Sequence, residues 1–325
     1  FFADTERVSF HWPLPGWFAL LPLLPAVLRT WPAWLRRATA VLATLGLLAM
    51  LGYYAAVSVP ALRAQVSDTK AYPANFAGWA PLADAVRDLR ATLPPDTRLL
   101  ADNFKVGAEL GFALREPDIA VLPHPLNEKH GRAPQLELWG LRVDRREALG
   151  AHPVLLVVGA SEVPYKHLLR RYHDLCRMLG PLPAPRTVAT DHGRQRFLLF
   201  VLGRERAQGD CTLPGMGWID TPLPGAQVGR RFEVGGWAFK DGVGIERVEV
   251  TVDGVPVARA EYGREAPHVA PFWKISTDPA HPRVGYRAMV ELPPGTTGTH
   301  WLGLRLHGRD GSVEPWQEQR IDVVE

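Results

Sequence analysis

Cysteine is scarce in this sequence, and neither sign of charge dominates it. Two cysteines in 325 residues are too few for a disulfide-rich scaffold or a cysteine-based zinc cage. The 37 Lys and Arg residues nearly balance the 34 Asp and Glu residues, which leaves a net charge of +3. Because proteins that bind nucleic acid usually present a strongly basic face, we expect no nucleic-acid partner.

The sequence also lacks the short motifs of cofactor-dependent and metal-dependent enzymes. It contains no G-x-S-x-G, H-E-x-x-H, P-loop or dinucleotide-binding pattern. His124, His130 and His152 do not have the spacing of metal ligands on one element. We therefore expect no cofactor and no metal in this chain. The 30 Gly, 30 Pro and 11 Trp that it does contain argue against a helical bundle.

Charge is absent from two hydrophobic segments near the start of the chain. Residues 38–59 would span about 33 Å as a helix, enough for a hydrocarbon layer of about 30 Å, and are typical of a transmembrane helix. Residues 13–28 are shorter and contain four prolines, so this helix would need neighbouring helices to satisfy its freed carbonyls. The sequence therefore predicts two membrane helices, near 13–30 and 38–59, within a membrane segment of residues 1–65.

The charges between the two segments indicate an orientation. Arg29, Arg36 and Arg37 lie there without an acidic residue. The positive-inside rule places such a short loop in the cytoplasm. We therefore expect residues 60–325 to lie outside the cytoplasmic membrane.

Short apolar runs and helical patterns alternate between residues 66 and 210, which predicts an α/β sandwich domain. Strands are predicted at 98–101, 119–122, 154–158 and 197–202. Helices are predicted at 80–93, 106–114 and 165–179.

Two polar clusters interrupt this pattern, one directly after the strand at 98–101 and one between residues 127 and 139. Loops at the carboxyl ends of strands are where open α/β sheets bind ligands. The candidate substrate-binding residues in these clusters are Asp102, Asn103, Lys105, Lys129, His130, Arg132, Gln135 and Trp139. Arginine and lysine can meet a phosphate, and Trp139 can stack on a sugar or pack in the core. An equally good interpretation is that both clusters are solvent-exposed loops in which a polar residue caps a helix.

Residues 212–325 have short alternating strands with a turn signal about every ten residues, which predicts an all-β, immunoglobulin-like sandwich of six or seven strands. Val248, Val250 and Val252 share one face, and Asp253-Gly254 then predicts a tight hairpin turn. A domain boundary is expected near residue 212. Trp237 and Trp273 fit packing within the sandwich, although the aromatic insertion that ends at Trp273 can also meet a glycan or the neighbouring domain.

Three motifs resemble a known enzyme family. DNFKVGAELGFAL at 102–114, NEKHGRAPQLELW at 127–139 and the entry His11-Trp12-Pro13 into a proline-rich helix resemble bacterial family 39 glycosyltransferases. This family is the dolichyl-phosphate-mannose–protein mannosyltransferase and aminoarabinose-transferase-like group of the GT-C superfamily. The resemblance covers residues 1–210, and GGWAFKDGVGIERVEVTVDG at 235–254 resembles a β-sandwich module at the ends of bacterial envelope proteins.

The resemblance implies an integral-membrane enzyme of the bacterial inner membrane. Such an enzyme moves a sugar from a polyprenyl-phosphate donor, held with membrane lipid, to a glycan or protein acceptor on the outer side. The family's catalytic acidic residue lies in a first extracytoplasmic loop that this sequence does not contain, and neither Asp4 nor Glu6 replaces it. The catalytic residues are therefore unknown. We expect this chain to be the C-terminal part of such an enzyme, to supply binding and positioning, and to be inactive alone.

A non-enzymatic membrane-anchored envelope protein that binds glycan or a protein partner is the alternative. In either case an extracytoplasmic location makes Cys176 and Cys211 a candidate disulfide, with two buried free thiols as the other interpretation.

Overall fold

The chain divides into two compact units between Leu62 and Arg63. The computed structural model describes residues 14–324, so the motif His11-Trp12-Pro13 and the acidic residues Asp4 and Glu6 lie outside the described residues. The first unit contains helices α1 (Leu14–Leu20), α2 (Leu24–Thr30) and α3 (Ala33–Ser58), and α4 (Pro60–Gln65) follows at the division.

Among the described residues, α3 is the one helix that is long and apolar enough to cross a membrane. Membrane anchors and signal sequences share this property. The prediction of a second membrane helix near 13–30 is not confirmed, because the described apolar stretch Leu14–Thr30 has at most 17 residues. It is also divided by a 3-10 turn at Leu21–Leu23. That turn and α2 each have a proline within their first two residues. Proline has no N–H to continue the preceding helix, so the helix restarts there.

The second unit begins with an α/β layer. Its helices are α5 (Trp79–Arg90), α6 (Phe104–Leu114), α7 (Pro125–Lys129), α8 (Ala133–Leu138) and α9 (Tyr165–Leu179). Its strands are β1 (Arg98–Ala101), β2 (Ala120–Val121), β3 (Val154–Gly159), β4 (Arg186–Thr190) and β5 (Gln195–Leu202). In the described chain they form a sheet in the order β2-β1-β3-β5-β4, parallel from β2 to β3 and antiparallel from β3 to β4.

Helices cover both faces of this sheet, as an α/β sandwich requires. Leu155 and Val157 of β3 pack with residues of α5 and α6, whereas Leu156 and Val158 pack with residues of α9. All residues of β3 are buried. Because both faces are covered, the central strand is a continuous apolar run rather than an alternating one.

The β-sandwich follows in the second half of this unit. Its strands are β6 (Met216–Thr221), β7 (Ala226–Val228), β8 (Arg231–Phe239), β9 (Ile245–Val252), β10 (Val255–Arg259), β11 (Glu261–Arg264), β12 (Gly285–Glu291), β13 (Gly298–Gly308), β14 (Val313–Pro315) and β15 (Gln319–Val323). One sheet has the order β10-β9-β13-β15-β7 with β14 on β13, and the other has the order β11-β12-β8-β6. A short helix, α10 (Val269–Phe272), lies between β11 and β12.

The described part of the sandwich has ten strands in sheets of six and four, not six or seven strands. The short strands β7, β11 and β14 have three or four residues, too few to show an alternating pattern. The hairpin between β9 and β10 forms at Asp253-Gly254 as predicted, and Val252 pairs with Val255. Both turn residues have positive φ, which this tight turn requires.

Helix α9 packs against both the α/β sheet and the sandwich through its buried residues. The ring of Tyr165 lies among four tryptophans of the sandwich: Trp218, Trp237, Trp273 and Trp316. Its hydroxyl donates to the carbonyl oxygen of Gly217 at 2.8 Å. Leu168, Leu175 and Tyr172 belong to the same continuous core as the inner residues of β8 and β9. The position near 212 therefore separates two sheets within one compact unit, because the two parts share a core.

Two further links join α9 to the sandwich. Cys176 and Cys211, the pair named from the sequence, form a disulfide with their Cα atoms 6.1 Å apart. His173 Nε2 lies 2.9 Å from Asp241 Oδ2. Burial tends to raise the pKa of Asp241, but hydrogen bonds with His173 and Ser276 outweigh it, so the pKa falls and the carboxylate stays charged.

We predict that reduction of the disulfide lowers the free energy of unfolding. The two cysteines are 35 positions apart. In the entropy model, closing a loop of that size raises the free energy of the unfolded chain by about 3 to 4 kcal/mol. Urea unfolding with and without reductant measures the change, and the double variant Cys176→Ser, Cys211→Ser should be insensitive to reductant. Equal thiol labelling of the unfolded protein before and after reduction would contradict the prediction.

Candidate functional site

Asp102 follows β1 and is completely buried. Its Oδ1 accepts a hydrogen bond from Arg171 Nε at 2.7 Å and another from Arg171 Nη2. Arg171 also donates to the carbonyl oxygen of Pro123 at 2.9 Å. The carboxylate of Asp102, a candidate substrate contact in the sequence, thus fixes α9 to the end of β1 and has no exposed surface.

Asn103 is the N-cap of α6 and is also buried. Its Oδ1 accepts from the backbone N–H groups of Lys105 at 3.0 Å and Val106 at 3.2 Å. The polar side chain is therefore engaged in starting the helix, as N-cap residues commonly are. The helix cap is the alternative that the sequence analysis gave for this cluster, and Asn103 Oδ1 has that role here.

Lys105 is held by other side chains. Its Nζ donates to Glu162 Oε1 at 2.7 Å and to Asn75 Oδ1 at 3.0 Å. The same ammonium lies 5.3 Å from the centre of the Trp79 ring. These contacts direct Lys105 toward the 3-10 turn after β3, away from the second polar cluster.

The two predicted clusters nevertheless meet, through Phe104 and Asn127, which the sequence analysis did not select as site residues. The backbone N–H of Phe104 donates to Asn127 Oδ1 at 2.9 Å, and Asn127 Nδ2 donates to the carbonyl oxygen of Leu122 at 2.9 Å. The Phe104 ring lies 5.6 Å from the His130 ring and 5.9 Å from the Arg132 guanidinium carbon. The buried amide of Asn127 therefore aligns the start of α6 with the loop between α7 and α8.

A groove of about 300 Å³ lies between α6, β2 and α8. Of the described residues that line it, Arg132 and Gln135 are the ones with polar side chains, and Arg132 Nη1 donates to Gln135 Oε1 at 3.3 Å. Trp139 lines the same groove. Arg132, Gln135 and Trp139 are thus the predicted site residues that come together. Lys129 at the end of α7 and His130 directly after it are exposed.

Large apolar side chains are exposed beside this groove. Phe112, Leu138 and Trp139 are 85%, 83% and 60% exposed. Phe112 is two residues after the buried Leu110, which places it about 200° around the helix and away from the core. This spacing was a signal in the sequence for an apolar outer face on α6. An apolar surface of this kind typically contacts another molecule.

The described residues contain no group of three or more His, Cys, Asp and Glu side chains that could hold a metal ion. His124 is buried near Asp102 and has a structural role instead. Its Nδ1 accepts from the backbone N–H of Leu126 at 3.0 Å and so caps α7. Burial lowers the pKa of His124, and this effect outweighs the opposing charge of Asp102.

No family model matches this sequence, and no curated protein does either. Solved structures align with parts of the chain. The fibronectin(III)-like modules of Clostridium thermocellum CbhA are 17% identical, over 33% of this chain and 94% of that chain, with a TM-score of 0.22. CopC of Methylosinus trichosporium OB3b is 14% identical, over 33% and 93% of the two chains, with a TM-score of 0.19.

An endo-beta-1,4-mannanase from Thermotoga petrophila is 11% identical, over 71% of this chain and 48% of that chain, with a TM-score of 0.24. TM-scores of this size carry no inference about function. The sandwich is defined by its own strand pairing.

We predict that acid destabilises the wild-type protein more than the His124→Asn variant. As the pH falls through about 6.5, the unfolded histidine takes up a proton that the folded one resists, so this contribution to stability is present above that pH and is lost below it. The slope is at most about 1.4 kcal/mol per pH unit for one proton. Asparagine keeps an acceptor for the Leu126 N–H but does not titrate.

Denaturant unfolding of both proteins at pH 7.5 and pH 5 checks this difference. The wild type should lose more free energy of unfolding between the two pH values than the variant does. Equal losses would show that His124 does not contribute to the pH dependence of stability.

Proposed function

We propose that this chain is the C-terminal portion of an integral-membrane glycosyltransferase that moves a sugar from a polyprenyl-phosphate donor to an envelope acceptor. The groove between α6 and α8 binds the donor lipid. The observation that carries this proposal is an apolar groove with one cationic side chain, Arg132, beside large exposed apolar side chains.

A polyprenyl phosphate combines an apolar chain with an anionic head, and the groove offers a partner for each part. Phe112, Leu138 and Trp139 would be removed from water by an isoprenoid chain, which is favourable by about 25 cal/mol for each Å² buried. The planar guanidinium of Arg132 can donate two parallel hydrogen bonds to phosphate. Gln135, already bonded to Arg132, keeps that guanidinium beside the groove.

The reaction class comes from the resemblance of residues 102–114 and 127–139 to family 39 glycosyltransferases. In this proposal the chain binds and positions the donor, and the catalytic acid lies in another part of the enzyme. The sandwich serves as an immunoglobulin-like accessory module. Its aromatic surface around Tyr165 holds it against the α/β layer, so it can position an acceptor relative to the groove.

The proposed location is the bacterial inner membrane, with α3 crossing it and residues 60–325 outside. Arg36 and Arg37 near the start of α3 favour a cytoplasmic N-terminal end for that helix. The disulfide Cys176–Cys211 supports an oxidising compartment for the second unit.

We predict that alkaline phosphatase fused after Val66 is active, because this enzyme folds only outside the cytoplasm. A cytoplasmic reporter at the same position should be inactive. The opposite pattern of activities would reverse the proposed orientation.

We predict that Arg132→Ala weakens binding of a short polyprenyl phosphate, farnesyl phosphate, by about tenfold to a hundredfold. Losing a hydrogen bond to a charged group costs about 1.5 to 3 kcal/mol, and each 1.4 kcal/mol is a factor of ten. Trp139→Ala should also weaken binding, because it removes apolar contact area. Calorimetric titration of the full chain in detergent measures the dissociation constants.

Arg145→Ala is the matched control, because it removes the same charge from an exposed position outside the groove. It should bind like the wild type. Farnesol, which lacks the phosphate, should bind to the wild type more weakly than farnesyl phosphate does. It should have the same affinity for the wild type and for Arg132→Ala. Equal affinity of Arg132→Ala and wild type for farnesyl phosphate would remove the groove from the proposal.

A further inference from the structure

A second cavity, of about 340 Å³, lies where the α/β layer meets the sandwich. Its walls are the 3-10 turn Ala160–Glu162 after β3, the start of α9, the turn between β4 and β5, and the segment before β15. It shares no lining residue with the groove beside α6 among the described residues. Its volume is in the range of pockets that hold small molecules.

Arg196 on β5 lines this cavity, and its side chain is only 6% exposed. Its guanidinium lies 4.4 Å from the centre of the Trp316 ring, and Nη2 is 3.6 Å from Glu314 Oε2. That distance is too long for a hydrogen bond, and Glu314 already accepts from Lys240 Nζ at 2.7 Å. Nε and Nη2 of Arg196 therefore find no acceptor among the described residues.

A buried guanidinium with unpaired donors is costly, because water has been removed and nothing replaces it. Glu314 is shared between Lys240 and Arg196, so an anionic ligand oxygen in the adjoining cavity would add a second charge partner for Arg196. This arrangement distinguishes Arg196 from an ordinary surface arginine and points to an anion.

A second cation lines the same cavity. Arg194 precedes β5, and its guanidinium carbon lies 5.9 Å from the Tyr72 ring centre without an ion pair in the described part of the chain. The acidic side chain in the wall, Glu162, is paired with Lys105 at 2.7 Å. The cavity therefore carries two arginines whose charges its own acidic group does not neutralise.

The remaining polar groups suit hydroxyl groups rather than a second anion. Ser161 Oγ donates to Gln195 Oε1 at 2.7 Å, and Gln195 Nε2 donates to the carbonyl oxygen of Ala74 at 2.6 Å. An amide has two donor hydrogens and two acceptor positions, so Gln195 retains capacity for a ligand, as does Gln317 in the opposite wall. The Tyr165 and Trp316 rings add apolar surface.

We propose that this cavity binds an acidic monosaccharide unit, with its carboxylate at Arg194 and Arg196 and its hydroxyl groups at the amides. A carboxylate can form ion pairs with the two arginines. A polyhydroxylated ring can donate hydrogen bonds to the amides and stack on the aromatic rings. The inference is independent of the donor groove, so either proposal can fail while the other stands.

Calorimetric titration of the full chain in detergent with three probes tests the ligand class. The probes are glucuronate, glucose and inorganic phosphate. Glucuronate should bind at least about tenfold more tightly than glucose, since it adds a charged hydrogen-bonding group. It should also bind more tightly than phosphate, which offers the charge without the ring. If phosphate binds as tightly as glucuronate, or if glucose does, the proposed ligand class is wrong.

Three variants test the location. Arg194→Ala should weaken glucuronate binding by about tenfold or more, and Arg196→Lys should weaken it while keeping the charge, because the planar fork of donors is lost. Arg186→Ala is the control, since it removes an exposed arginine at the start of β4, outside the cavity. Thermal melting of each variant establishes that it is folded. Unchanged glucuronate affinity in a folded Arg194→Ala protein would overturn the assignment.

Discussion

The burial of α9 on two sides is the constraint on which the second unit depends. Leucines of this helix pack on one face of the α/β sheet, and the same core continues into the sandwich. Three of its side chains bond to residues outside the helix. Arg171 binds Asp102 at the end of β1, His173 meets Asp241 of the sandwich, and Cys176 is bonded to Cys211.

This constraint decides which polar residues remain for ligands. Asp102 and Asn103 lie closest to the sheet, where a buried polar group must find a partner within the protein. They consequently hold α9 and start α6. Arg132, Gln135 and Trp139 lie one loop further from the sheet and keep access to the groove. Proximity to a strand end selected all of these candidates, but burial distinguishes the structural residues Asp102 and Asn103 from the candidates that remain accessible.

The groove and the cavity differ in chemistry although they belong to the same compact unit. The groove is apolar with one arginine, whereas the cavity combines two arginines with amides and aromatic rings. A shared core joins the layers that carry them, so ligands in both places would be held at a fixed separation. The proposed function assigns binding and positioning of the donor to the compact unit that contains the groove.

The sequence alone determined the elements whose signals are local. The apolar run of β3, the helical spacing of α9 and the Asp253-Gly254 turn each follow from a few consecutive residues, and the structure contains all three. Periodicity could not reveal β7, β11 and β14, because strands of three or four residues have almost no period. It also did not show that the apolar stretch Leu14–Thr30 breaks into short helices.

Only the tertiary structure decided the partners of distant residues. Arg196 stacks on Trp316, Asp102 binds Arg171, and Tyr165 inserts among tryptophans of the sandwich. These pairs are far apart in the chain, and a residue's neighbours across a folded core depend on how whole layers pack. The pattern of apolar residues in the sequence indicates which face of an element is apolar, because that property depends only on residues within the element. Whether a given polar group is buried and paired is set by the layer opposite it, and that is a property of the assembled fold.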